Sequence, residues 1–118
     1  MQYIPPKSKA SKPTRILQQE GYYWNLESYQ WNRIYYVNKL IAVIVSYQYY
    51  SPDTEDTRRD VATYVCTDDM SDPQIFSGRY LEMTYDASEK CVDFRINFET
   101  NIQEVYIQKV YKEGMYNV

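Results

Sequence analysis

Carboxylates are the side chains whose type and spacing come nearest to chemistry in this chain. Asp53, Glu55, Asp56 and Asp60 fall within one polar segment, and Asp68, Asp69 and Asp72 within the next. Calcium and magnesium take such oxygens as ligands, but neither cluster follows the calcium-loop spacing or holds its central glycine. They read as solvated turn acids, without the burial that tunes a catalytic acid or base. No metal and no cofactor is expected.

The other ingredients of catalysis are missing. With no histidine among 118 residues, Ser-His and Cys-His nucleophile pairs are excluded. Glycine occurs only at positions 21, 78 and 114, too few and too scattered for a phosphate-cradling loop or a nucleophile elbow. A non-enzymatic role follows as the expectation.

Tyrosine is the anomaly, at 15 residues. Tyr22 and Tyr23, Tyr35 and Tyr36, and Tyr49 and Tyr50 are dipeptides in three successive segments of strand character. Neighbouring side chains of a strand point to opposite faces, so each pair must split and one ring of each joins an outer band beside Trp24 or Trp31. Tyrosine is a rigid amphipathic ring with a low ordering cost, which is why interfaces and paratopes favour it. The bland alternative is a band covered by the chain's own termini, or one that only stiffens the sheet.

Strands must hold these rings. Leu40 to Tyr50, LIAVIVSYQYY, begins with six apolar residues lacking helical spacing, then alternates tyrosine with polar positions, as a central strand does when half of it is sealed on both faces. Before it lies Trp31 to Val37, joined by Asn38 and Lys39, which suit a two-residue hairpin turn. That hairpin would set Tyr35 opposite Ala42, Arg33 opposite Ile44 and Trp31 opposite Ser46. Its core face would carry Ile34, Tyr36, Ile41, Val43, Val45, Tyr47 and Tyr49. Its open face would carry Trp31, Arg33, Tyr35, Ser46, Gln48 and Tyr50, so Trp31, Arg33, Tyr35, Gln48 and Tyr50 form the expected binding set, with Asp53, Glu55 and Asp56 as an acidic rim.

Further strands are expected at about Gly21 to Leu26, at Val61 to Cys66 after an exposed connection over 51–60, and at Ile102 to Tyr111, where Val, Ile and Tyr outweigh the helical option. The cleanest is a hairpin. Leu81, Met83 and Tyr85 alternate with polar residues, a turn follows over Asp86 to Lys90, and Val92, Phe94, Ile96 and Phe98 alternate in the return strand. Pro13 to Glu20 fits either a short helix or an edge strand. The expected fold is mainly β: a single-domain antiparallel meander of six to seven strands forming a curved sheet or small barrel, with one short helix near the N-terminus as an option. The alternative is an α+β sheet with a helix packed on one face.

Residues 1–13, rich in proline and lysine, read as a flexible basic arm, and 14–118 as one β-rich domain. Residues 1–15 hold Lys7, Lys9, Lys12 and Arg15 without an acid, so the body is more acidic than the total of −3. That balance disfavours a broad nucleic-acid surface. Cys66 and Cys91 match no metal spacing and are expected as packed, reduced thiols. With no signal-like segment and no spanning-length apolar run, a cytoplasmic protein is expected. The function these features favour is a small acidic inhibitor or accessory protein, of phage or plasmid anti-defence or immunity type, that blocks a basic surface of a partner protein through its aromatic sheet face. The alternatives are a small barrel stacking single-stranded nucleic acid on its aromatic rings or through the arm, and a virion or assembly structural protein; a homo-oligomer is a further option whatever the function.

Overall fold

The computed structural model describes residues 15–37, 39–66, 73–100 and 103–112, and the basic arm expected over 1–13 lies outside them. Nine strands are present among the described residues: β1 (Arg15–Leu17), β2 (Gly21–Trp24), β3 (Asn32–Tyr35), β4 (Leu40–Ser51), β5 (Asp56–Val65), β6 (Gln74–Phe76), β7 (Leu81–Asp86), β8 (Cys91–Ile96) and β9 (Glu104–Tyr111). They form a four-stranded sheet in the order β1, β3, β8, β7 and a five-stranded sheet in the order β2, β9, β4, β5, β6. The mainly β expectation holds. No helix occurs among the described residues, Arg15–Leu17 takes the strand option, and the two sheets face each other without closing into a barrel.

The apolar run at the start of β4 explains the layering. β4 lies in the middle of its sheet, paired to β5 and β9, and its inward face is sealed by the second sheet, while on its outer side Ile41 is exposed and Ile44 half-buried, so the cover expected on both faces forms on one. Val43, Val45 and Tyr47 point inward with Ala62 and Tyr64 of β5 and with Val105 and Ile107 of β9. They meet Ile34, Val92, Phe94, Ile96, Leu81 and Met83 from the other sheet in one apolar core. Burying side chains of this size stabilises by roughly 1.5–3 kcal/mol each, before the entropy of ordering the chain is counted. The hairpin expected from residues 81–98 forms as β7 and β8, and its turn is tied by the Asp86 carboxylate, which accepts from the Ser88 amide, the Ser88 hydroxyl and the Glu89 amide.

The hairpin expected between residues 31–37 and 40–50 does not form. β3 pairs with β8 and, in parallel, with β1, whereas β4 belongs to the other sheet. Tyr36 and Lys39 stand on either side of the change of sheet: the Tyr36 amide still donates to Lys90 O beside β8, and the Lys39 carbonyl already accepts from Lys112 past β9. Lys39 adopts φ 71°, the left-handed conformation that a tight hairpin turn also demands, so hairpin and change of sheet share one local signature. One residue is misplaced within β4 as well. A bulge between Leu40 and Ala42 turns Leu40 into the core and Ile41 outward, reversing the alternation expected there. The connection expected over 51–60 is shorter than supposed, because β5 begins at Asp56 and its polar first half pairs with Gln48 to Ser51.

Burial gives the core a pH dependence. Tyr36 and Tyr64 share a hydroxyl contact of 3.0 Å across the two sheets, and burial raises the pKa of Tyr36, Tyr47 and Tyr64 above the usual phenol value. Burial, helped by the charge of Asp93, pushes the Cys91 thiol up to about 11. In the unfolded chain these groups release protons at ordinary values, so their contribution is complete below about pH 8.5 and drains as pH rises toward the folded values. Each contributes a slope of up to about 1.4 kcal/mol per pH unit. Spectrophotometric titration is expected to show a late, cooperative burst of tyrosinate coincident with loss of circular dichroism. A smooth curve with the fold intact through full ionisation would contradict that.

Candidate binding face on the five-stranded sheet

The residues that strand pairing brings together are not those the expected hairpin grouped. On the outside of the five-stranded sheet, Tyr22 of β2 lies opposite Tyr106 of β9, which lies opposite Ser46 of β4, which lies opposite Val61 of β5. The next row runs Trp24, Glu104, Gln48, Arg59. Beyond Ile44 and Thr63 comes Phe76 on β6, and Tyr50 stands at the far end of β4 opposite Thr57. Tyr22, Trp24, Tyr50 and Phe76 are 60%, 55%, 59% and 56% exposed. Four large apolar side chains on one sheet face amount to more than the scattered exposure normal for a surface.

The face has internal order. The rings of Tyr22 and Trp24 stack with centroids 6.3 Å apart, and Tyr22 meets Tyr106 at 4.9 Å. Arg59 lies across the middle and donates from Nη1 to Ser46 Oγ at 2.8 Å, which buries Ser46 beneath it. The donor, the amide of Gln48 and the rings together make a surface suited to adhesion, with no nucleophile and base in hydrogen-bond reach of each other.

Of the eight residues expected from the sequence, Gln48 and Tyr50 belong to this face. Asp53, Glu55 and Asp56 lie at the β4–β5 turn beside Tyr50, with Glu55 in a left-handed conformation at φ 56°. Asp56 is engaged locally: Thr54 donates to it at 2.6 Å and Arg58 at 3.3 Å, which together hold its carboxyl below the usual range. Trp31, Arg33 and Tyr35 are on the opposite sheet. Trp31 and Arg33 are 7% and 8% exposed, the first under the Arg95 guanidinium at 4.9 Å and the second in a bidentate pair with Asp93. Tyr35 is exposed, yet it faces the other way from Tyr50 because its strand pairs with β8.

Each tyrosine dipeptide does split. Tyr22, Tyr35 and Tyr50 point out, while Tyr23, Tyr36 and Tyr49 pack on the core. Tyr106, Arg59, Val61 and Phe76 were not foreseen. Alternation within VATYVC already carried Val61, but Tyr106 joins the band only because β9 lies between β2 and β4.

The acidic cluster dissolves. Asp60 turns inward and accepts backbone hydrogen bonds, apart from its neighbours in sequence. No group of three or more metal-ligating side chains gathers among the described residues, and Asp68, Asp69 and Asp72 lie outside them. Both cysteines are buried free thiols, and no helix among the described residues is long and apolar enough to cross a membrane. No family model matches this chain, and neither a curated protein nor a solved structure matches it.

Proposed function

We propose that this protein is a non-enzymatic protein-binding module whose outer five-stranded face docks a partner through Trp24, Tyr22, Tyr106 and Tyr50. One observation carries the reading: Tyr22 and Trp24 stand stacked and exposed on the same sheet face as the exposed Tyr50 and Phe76, with Arg59 of that face fixed to Ser46, the composition of interface hot spots. Its mode of action is stoichiometric blockade, as expected of a small inhibitor or accessory protein of the anti-defence or immunity kind. Asp53, Glu55 and Glu104 favour a basic partner surface, though Arg58 beside Asp56 and Arg59 at the centre temper that field. Buried free thiols suit a reducing, cytoplasmic setting.

The test is affinity capture from the source cells with wild type, Trp24→Ala/Tyr50→Ala and Tyr35→Ala, followed by titration of the captured protein. The double variant is expected to lose roughly 30-fold or more in affinity, the effect of removing a hot spot of about 2 kcal/mol, with thermal stability little changed. Tyr35→Ala on the opposite sheet is expected to bind as wild type. Unchanged affinity in the double variant would sink this assignment. Arg59 on a face that also bears stacked rings gives the nucleic-acid reading a foothold, and binding of a single-stranded oligonucleotide that falls steeply with salt would favour it instead.

A further inference from the structure

Four strands form the sheet edges, and an open edge shows a row of backbone donors and acceptors that proteins guard with charge, proline, bulges or cover. β7 is guarded: the Leu81 amide donates to Asp60 at 2.7 Å, the Leu81 carbonyl accepts from Gly78 at 2.9 Å, and the strand runs beside β5. β1 and β6 are three residues long, and β1 opens on Arg15. β2 has no such device. Its sequence, GYYW, carries no charge and no proline, and among the described residues it pairs with β9 on one side only.

The pairing phase of β2 can be read directly. The Asn25 amide donates to the Gln103 carbonyl at 3.3 Å, and the same register continues through Trp24 opposite Glu104 to Gly21 opposite Ile107. Hydrogen-bonded and non-bonded residues alternate along an antiparallel pair. Tyr23 and Gly21 therefore bond to β9 as Asn25 does, and Tyr22 and Trp24 aim their N–H and C=O groups at the open side. The short Tyr22–Tyr106 distance fits, since side chains stand closer at non-bonded positions. Among the described residues nothing hydrogen-bonds to those four backbone groups.

We infer that β2 is a self-pairing edge, across which a second copy of this chain docks antiparallel about a two-fold axis at Tyr23. In that register Tyr22 of one copy faces Trp24 of the other. The Tyr22 and Trp24 amides of each copy donate to the Trp24 and Tyr22 carbonyls of its neighbour, so every open group is used. Centring the axis on Tyr22 or Trp24 would leave some without a partner. The uncharged strip also lets two molecules of like net charge meet where neither carries charge, which an acidic edge would prevent. The two aromatic faces then become continuous, with Tyr22 and Trp24 of both copies at the seam. Four residues per copy make a small interface, so association is expected between about 10 µM and 1 mM and no tighter. Self-pairing needs none of the partner proposed above.

Sedimentation velocity of the full chain tests this. Wild type is expected to shift from monomer to dimer as concentration rises through that range. Besides the ring, Tyr22→Pro and Trp24→Pro each remove a backbone donor that points away from β9 and leave the bonds to β9 in place, so both are expected to stay folded, by circular dichroism, and monomeric throughout. Trp24→Ala keeps the backbone donor and is expected to weaken dimerisation by no more than about tenfold. Amide exchange on wild type needs no variant: the Tyr22 and Trp24 amides are expected to slow with concentration, while that of Tyr23, already bonded to β9, does not. A wild type that remains monomeric to about 1 mM overturns the inference, as does a dimer that leaves the Tyr22 and Trp24 amides unprotected.

Discussion

Asp60→Ala is expected to cost about 3–5 kcal/mol, a large share of the stability of a domain this size, and to lower the melting temperature by about 10–20 °C. The buried Asp60 carboxylate is the stitch between the two sheets: from β5 it accepts the amides of Arg79 at 3.0 Å, Tyr80 at 2.5 Å and Leu81 at 2.7 Å, where the chain turns into β7. Removing it leaves several backbone donors without an acceptor, each at roughly 1–3 kcal/mol where water cannot reach. Gly78 belongs to the same device. A Cβ there would stand 2.2 Å from Asp60 Oδ1 and 2.7 Å from the Val61 carbonyl, so Gly78→Ala must push the carboxylate from its amides or move β5. The two substitutions attack one contact, so the double variant is expected to lose less than the sum of the singles. Chemical denaturation of the three variants checks this, and strict additivity would mean the Gly78 clash is absorbed elsewhere. Asp60→Asn, which keeps one oxygen, is expected to fall between wild type and Asp60→Ala.

Asp60 also shows where reading from sequence stops. Within DTRRD it looks like one more loop acid, and only the approach of β5 to β7 gives it partners nineteen to twenty-one residues away. What was legible was what period two controls: the alternation of Val92, Phe94 and Ile96, the inward run of Val43 and Val45, and the division of Tyr22 from Tyr23, Tyr35 from Tyr36 and Tyr49 from Tyr50. What escaped was pairing between segments distant in the chain. The aromatic face joins β2 to β9 through contacts such as Tyr22 with Tyr106, whose two residues give no local sign of each other. The polar start of β5 reads as a loop because Asp56 to Arg59 all stay exposed and pack no apolar side chain, the core contact at that end of the ribbon coming from Tyr49 of β4. Ile41 escaped for a third reason, since a one-residue bulge reverses the faces without changing composition.

Arg33→Met is expected to destabilise by about 3–5 kcal/mol, and Arg33→Met/Asp93→Leu to recover most of that loss. The sequence suggested Arg33 as a donor at a binding surface. Instead β3 and β8 place it directly opposite Asp93, with Nε donating to Oδ1 at 2.8 Å and Nη2 to Oδ2 at 3.0 Å, and both side chains almost wholly buried. Desolvating two charges is expensive, and the parallel bonds of the fork repay it only while both partners remain. The hydrogen bond to Asp93 outweighs desolvation and raises the guanidinium pKa above its already high value, so the pair keeps its charge as pH rises. Arg33→Met strands a buried carboxylate, whereas the double replacement fills the site with apolar volume. A surface role predicts the reverse pattern: Arg33→Met would leave the melting temperature near wild type and reduce only partner binding. Thermal denaturation of the single and double variants separates the two, and Arg33→Met melting within about 2 °C of wild type would return this residue to the surface.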